Sequence, residues 1–249
     1  MLEPKQRIIF AIGGGEIGEY ETWPIDKVIV AAAAKNRDSK RGKVKALFIP
    51  TASGDDPEYI ETFDKIYGYT LGCTTDHLLL YDRKTSRASL KRQIDRCDLV
   101  YVGGGSTPAM MRLWRRYGID RYLKSAWRRG VVLSGLSAGS NCWFKWGLSD
   151  AYPGRFTAVS GLGLIDYAGN VHYSSFRGRK KYFDELVRKK RMSGIALEDN
   201  VCIKIFGKFY ELIRSDKAAN AYWVYNDGGK IRRVIMPDVG KLGKTLSLK

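Results

Sequence analysis

Val131-Val132-Leu133-Ser134-Gly135-Leu136-Ser137-Ala138-Gly139-Ser140 is the stretch around which the chain is organised. A β-branched apolar run of this length, bounded by small residues, reads as a buried strand. Asn141-Cys142-Trp143-Phe144 beyond it reads as the start of a helix. Between the two, residues 135–139 spell Gly-x-Ser-x-Gly. Glycines on both sides let strand and helix approach without a Cβ clash, and the sharp corner strains the serine and leaves its side chain alone at the helix N-terminus. Backbone N–H groups and the helix dipole favour a developing negative charge there. A serine nucleophile needs that setting, but the same pattern also serves as a plain tight turn, so partners elsewhere must decide.

Working outward, strands are expected at 7–12, 44–49, 76–81 and 98–102, alternating with helices. The first helix starts near Thr22-Trp23-Pro24, the second is capped by Asp56-Pro57 and runs to about Tyr67, and others cover 89–96 and 119–127. Thr107, followed by Pro108, caps the helix carrying Met110, Met111, Leu113 and Trp114. Such alternation implies an α/β fold with a mainly parallel, doubly wound sheet flanked by helices. After Met192, short runs at 201–206, 209–213, 221–225 and 231–235, separated by Gly or Asn-Asp-Gly turns, read as a C-terminal antiparallel β meander, with a frayed tail from Asp238. No linker or repeat divides the 249 residues, so one domain over 1–249 is expected.

Ligands of such a sheet sit at the carboxyl ends of its strands. Residues 13–15, 51–53, 103–105 and Ser137 all fall there. Residues 13–18, Gly-Gly-Gly-Glu-Ile-Gly, match the dinucleotide pattern G-x-G-x-x-G, but the next helix opens several residues too late, and the second strand ends in Pro50-Thr51 instead of a ribose-binding acid. No cofactor is therefore expected. Cys73, Cys97, Cys142 and Cys202 are far apart, without C-x-x-C spacing, so neither a metal site nor a disulfide is expected. The net charge of +17 suits nucleic acid, an anionic surface or acidic substrates. Lys and Arg are spread along the whole chain, however, and no nucleic-acid-binding signature accompanies them. With no long apolar run and no signal peptide in the N-terminal stretch, no membrane partner and a cytoplasmic location are expected.

A nucleophilic Ser137 requires a base, and the chain has only His77 and His172. His77 at the start of the expected third strand lies at the wrong edge, whereas His172 follows the elbow in a loop. For the acid, composition leaves Asp150, Asp166, Glu198 and Asp199 open. The glycines after the fourth strand are candidate oxyanion donors, because an unhindered N–H can approach a substrate oxygen.

Seven ordered blocks then carry a resemblance: residues 49–53 (Ile-Pro-Thr-Ala-Ser), 102–107 (Val-Gly-Gly-Gly-Ser-Thr), 135–139, 148–150 (Leu-Ser-Asp), 161–164 (Gly-Leu-Gly-Leu), 171–173 (Val-His-Tyr) and 196–199 (Ala-Leu-Glu-Asp). Together they resemble the alpha-aspartyl dipeptidase and cyanophycinase family of serine peptidases, whose fold is similar to class I glutamine amidotransferases. The resemblance implies Ser137 as nucleophile, His172 as general acid/base and Asp150 as the group orienting His172, with Glu198 as a second claimant. It also implies Gly105 and Ala138 as oxyanion donors. The function expected is that of a dipeptidase or isopeptidase, hydrolysing short or isopeptide-linked peptides, Asp-containing ones among them, through an acyl-enzyme on Ser137. Arg177 and Arg179, just past His172, are candidate ligands for a substrate carboxylate. An esterase-type serine hydrolase and an inactive basic binding module are the alternatives.

Overall fold

Residues 8–12, Ile-Ile-Phe-Ala-Ile, have no polar side chain, and all five are buried. Side chains of a strand alternate between its faces, so a continuous apolar run calls for a covered sheet on both sides. Ile8, Phe10 and Ile12 enter one core with Ile25 and Ile29, while Ile9 and Ala11 enter the other with Met110, Trp114 and Leu123.

The computed structural model describes residues 5–37, 42–81, 85–152 and 154–243. In chain order the first half contains β1 (Ile8–Ile12), α1 (Trp23–Asn36), β2 (Lys45–Ile49), α2 (Pro57–Phe63) continued by a π-helical stretch (Asp64–Thr70), β3 (Thr74–His77), α3 (Arg87–Arg96), β4 (Leu99–Val102), α4 (Thr107–Tyr117), α5 (Ile119–Arg128) and β5 (Val132–Leu136). The second half contains the one-turn α6 (Ala138–Asn141), β6 (Phe144–Tyr152), β7 (Arg155–Ser160), β8 (Ile165–Asn170), α7 (Arg179–Lys190), β9 (Gly194–Leu197), β10 (Val201–Phe206), β11 (Phe209–Arg214), β12 (Ala221–Asp227), β13 (Lys230–Ile235) and β14 (Val239–Lys241).

Parallel strands in the order β1-β5-β4-β2-β3 form most of an eight-stranded sheet, which β10, β11 and β14 extend antiparallel beyond β1. A second, six-stranded sheet has the order β13-β12-β9-β8-β6-β7. One of its faces packs Leu148, Ala168, Ala196 and Val224 beneath Phe183, Leu186 and Val187 of α7. Its other face sends Ile165, Ile195, Leu197 and Trp223 into the core of the large sheet.

The α/β architecture is as expected, with local differences. The C-terminal meander is divided: β10 and β11 join the large sheet, and β12 and β13 join the second. Residues 198–200, with Asn200 at φ 64°, carry the chain from one sheet to the other. Hydrophobic periodicity identifies a strand but not its neighbours. β3 ends at His77 because the N–H groups of Leu80 and Tyr81 donate to the Asp55 carboxylate (2.6 and 2.7 Å), leaving the ladder. Ser106, not Thr107, caps α4, its Oγ accepting from the Ala109 N–H (3.4 Å). Residues 239–241 pair with β11, and 244–249 of the expected tail lie outside the described residues.

Asp26 of α1 sits inside this fold, 1% exposed, accepting from the hydroxyls of Thr22 and Tyr67 (2.7 Å each). Burial raises its carboxyl from 3.8 to about 6, against the lowering effect of those two hydrogen bonds. A folded-state value above the unfolded one means stability that is full below about pH 4 and lost as pH rises through about 6. The separation of about two units corresponds to about 3 kcal/mol. Urea unfolding across pH 4–7.5 is expected to show that decline in the parent and a flatter profile in Asp26→Asn.

Candidate active site

The large sheet delivers Ser137 immediately after β5, at φ 54° and ψ −108°. A non-glycine residue held there stores about 1–3 kcal/mol of backbone strain, so its surroundings must impose it. The Ser137 N–H donates to the Ile12 carbonyl (3.2 Å), and its own carbonyl accepts from Ser140 and Asn141 (3.0 and 2.9 Å). A Cβ at Gly139 would lie 2.1 Å from the Val102 carbonyl oxygen, so only glycine lets α6 sit this close to β4. The half-buried hydroxyl is thereby aimed at the second sheet.

That sheet supplies its partners. His172 follows β8 at φ 52°, tied through its N–H to the Gly13 carbonyl (3.0 Å). Its Nε2 lies 2.8 Å from Ser137 Oγ, and its Nδ1 lies 2.5 Å from Oδ1 of Asp199. Since an ionised carboxylate only accepts, the proton belongs on Nδ1, and Nε2 is left to accept from the Ser137 hydroxyl. Partial burial opposes charge on Asp199, but hydrogen bonds from His172 and Ser175, with the charge of Arg179, outweigh it and hold the carboxyl below its ordinary value.

Gly14 makes this pair possible. A Cβ on it would stand 1.8 Å from Asp199 Oδ1 and 2.5 Å from His172 Nδ1. Its carbonyl accepts from the Asn200 N–H (3.1 Å), which clips the 13–15 loop to the crossover carrying Asp199. The glycine run after the first strand thus serves close backbone approach to His172 and Asp199.

The expectation that Asp150 orients His172 is corrected. Asp150 bonds Arg179, whose guanidinium is completely buried and takes the nearest anion, while Asp199 occupies Nδ1. Arg179 lies between the rings of Phe156 and Phe176 (5.2 and 5.1 Å) and reaches Asn170 Oδ1 (3.3 Å). Phe176 in turn meets the His172 ring edge-on at 5.8 Å. Arg179 therefore backs the histidine loop from inside the protein and does not face a substrate. Arg177 is exposed, and neither arginine lines the cavity beside Ser137. Asp166 pairs with Lys145 (2.8 Å). Glu198 accepts from Ser174, Tyr222 Oη (2.9 Å) and the Asn220 N–H (2.8 Å), holding the same loop one residue before the Ser175 that Asp199 takes. His77 is at the end, not the start, of β3, bonded to Asp64 (2.9 Å), and three strand positions from β5.

Ser137 and His172 open onto a cavity of about 510 Å³, with Gly104 and Gly105 on one wall and Tyr59 on another. The Gly104 N–H donates to Tyr59 Oη (3.3 Å). Among the described residues, the N–H groups of Gly105 and Ala138 make no hydrogen bond. A larger hollow of about 710 Å³ lies at the opposite strand edge, beside Arg7, Trp127 and Phe206, and contains none of these groups. No described helix is long and apolar enough to cross a membrane.

Residues 9–213 match peptidase family S51. The chain belongs to this family. The uncharacterized peptidase YgaJ of Bacillus subtilis (strain 168) is 32% identical over 232 residues, covering 92% of this S51 chain and 96% of the relative. The fold is shared with the crystal structure of a peptidase from an acI-B1 Actinobacterium (TM-score 0.72, 17% identity, 96% and 98% of the two chains). It is shared also with a Listeria monocytogenes EGD-e protein provisionally assigned as a peptidase E (TM-score 0.59, 19% identity, 84% and 98%).

Two expectations follow for the S51 chain. Asp150→Asn leaves buried Arg179 without its counter-charge and should lower unfolding stability by about 1–3 kcal/mol, less than for a fully buried pair because Asp150 keeps contact with water. Gly14→Ala forces His172 and Asp199 apart and should reduce kcat by about 10²-fold or more, checked by steady-state kinetics with circular dichroism to verify folding.

Proposed function

We propose that the chain is a serine-type peptidase that cleaves short peptides through an acyl-enzyme on Ser137. The carrying observation is the continuous hydrogen-bonded series Ser137 Oγ, His172 Nε2 and Nδ1, Asp199 Oδ1 on a serine at positive φ in a member of family S51. Nε2 removes the hydroxyl proton as Oγ attacks the peptide carbonyl carbon. The carbonyl oxygen, now negative, meets the N–H groups of Gly105 and Ala138. When the tetrahedral centre collapses, the C–N bond breaks and the amine leaves with the proton from Nε2. A water molecule repeats the sequence on the acyl-serine, releasing the carboxylate product and restoring Oγ–H. Asp199 keeps the proton on Nδ1 and offsets the positive imidazolium.

Intact donor and acceptor geometry favours this over an inactive binding module, and family membership favours peptide over ester substrates. An Asp preference comes with the family resemblance; Arg177 and Arg179, the residues expected to read it, do not line the cavity. We also read 1–249 as one domain, because both sheets supply the site and share a core.

Ser137→Ala should abolish fluorophosphonate labelling of the protein and lower peptide turnover by several orders of magnitude, leaving the circular dichroism unchanged. Asp199→Asn should depress kcat on the order of 10⁴-fold with little change in KM, whereas Asp150→Asn should act on stability first. Normal turnover by Ser137→Ala, or a larger kcat loss from Asp150→Asn than from Asp199→Asn, would overturn these assignments.

A further inference from the structure

Tyr59 brings a hydroxyl to the wall of the cavity beside Ser137 and His172, and no member of the Ser137, His172 and Asp199 series uses it. It is the third residue of α2, set there by Asp56, whose carboxylate accepts from the N–H groups of Glu58 and Tyr59 (2.8 and 3.1 Å). Its ring meets Phe48 edge-on at 5.1 Å and lies on the Gly103 backbone, where a Cβ would stand 2.8 Å from Tyr59 Cε1. Phe48 is in turn stacked on Phe63 at the end of α2 (4.5 Å). These contacts fix the ring, and the Gly104 N–H, donating to Tyr59 Oη (3.3 Å), fixes the oxygen. A phenol oxygen accepts and also donates. Acceptance is used by Gly104, while the Tyr59 hydrogen has no acceptor among the described residues. Burial pushes this phenol well above its ordinary value, against the lowering effect of the Gly104 bond, so the hydrogen is retained throughout the range in which a histidine base works. A hydroxyl that accepts from an N–H is also polarised into a stronger donor.

That hydrogen is held where negative charge develops. Gly104 lies against the nucleophile, since a Cβ on it would stand 3.5 Å from Ser137 Cβ. The next N–H, of Gly105, is the oxyanion donor proposed above, and successive backbone nitrogens are roughly 3 Å apart. The oxygen that Gly105 binds and the Tyr59 oxygen that Gly104 binds are therefore neighbours on one wall of the cavity. Resting on the peptidase reading above, we propose that Tyr59 is a catalytic residue whose Oη–H gives the oxyanion a third hydrogen bond beside those of Gly105 and Ala138. The proton stays on Oη throughout. Ser137 Oγ forms its bond to the carbonyl carbon, the π pair of the carbonyl moves onto its oxygen, and Tyr59 stabilises that charge without transferring an atom. A donor aimed at the tetrahedral state acts on the rate of attack more than on binding of the substrate.

The test is the second-order rate of Ser137 labelling by a small fluorophosphonate, which draws on the nucleophile and the oxyanion donors and needs no peptide side chain. Tyr59→Phe removes the hydroxyl and keeps the ring on Phe48 and Gly103; labelling is expected to slow by about 10²-fold, with the thermal midpoint little changed. Loss of an acceptor for Gly104 would also slow it, so a second protein has Tyr59 replaced by difluorotyrosine, whose hydroxyl is a stronger donor and a weaker acceptor. At a pH below ionisation of the fluorinated phenol, this protein is expected to label at the parent's rate or faster. Labelling of Tyr59→Phe at the parent's rate, or of the fluorinated protein below it, would overturn the assignment while Ser137 stands as the nucleophile. A parent protein that the fluorophosphonate leaves unlabelled would instead remove the peptidase reading, and this proposal with it.

Discussion

An imidazole can join a hydroxyl to a carboxylate only when both lie within hydrogen-bond reach of its two opposed nitrogens, and here those groups come from different sheets. Ser137 belongs to the large sheet, His172 follows β8 of the second, and Asp199 sits in the three-residue crossover between them. The construction depends on how closely the 13–15 loop lies against residues 198–200. Backbone bonds from Gly13 to Val201 and Asn200 to Gly14 continue the β1–β10 ladder past its end, and one from His172 to Gly13 ties the histidine loop to it, which together fix that approach. Any side chain at Gly14 would occupy the position of the Asp199 oxygen.

Two strained residues face each other across this seam, Ser137 at φ 54° and His172 at φ 52°. Strain of about 1–3 kcal/mol at each site is small beside the burial of the surrounding apolar strands, so the fold can hold both in place. The histidine loop is fastened on each side. Asp199 and Glu198, adjacent in sequence, take Ser175 and Ser174, while the buried Arg179 guanidinium supports Phe176 from behind. Rigid supports of this kind are what a preorganised site requires.

Charge is divided by depth and location. The excess of Lys and Arg gathers on outward helix surfaces, as at Arg188, Lys189 and Lys190 in the last turn of α7, where it also complements the helix dipole. At physiological salt such charges are felt over about 8 Å, so a net charge of +17 need not set the potential inside the Ser137 cavity, whose lining includes Glu16, Glu19, Asp56 and Glu58.

The amino-acid pattern alone determined the α/β class, the strand-to-helix corner at Ser137, the choice of His172 over His77 as the histidine near it and the loops that gather at one sheet edge, because each is encoded by local periodicity, turn chemistry or the scarcity of a residue type. It also placed Glu198 and Asp199 among the candidates for the acid. Which carboxylate meets His172 was not legible: Asp150 is near in sequence but falls to a buried arginine, and of the consecutive Glu198 and Asp199 one takes Ser174, Tyr222 and Asn220 while the other takes His172 and Ser175. The interiority of Arg179 was equally hidden, since a basic residue at the start of a charged helix reads as surface. The division of the C-terminal strands between two sheets, and the approach of Gly14 to the histidine pair, arise from non-local backbone pairing. Strand partners and interatomic contacts between residues far apart in sequence leave no periodic trace, so only the tertiary structure decided them.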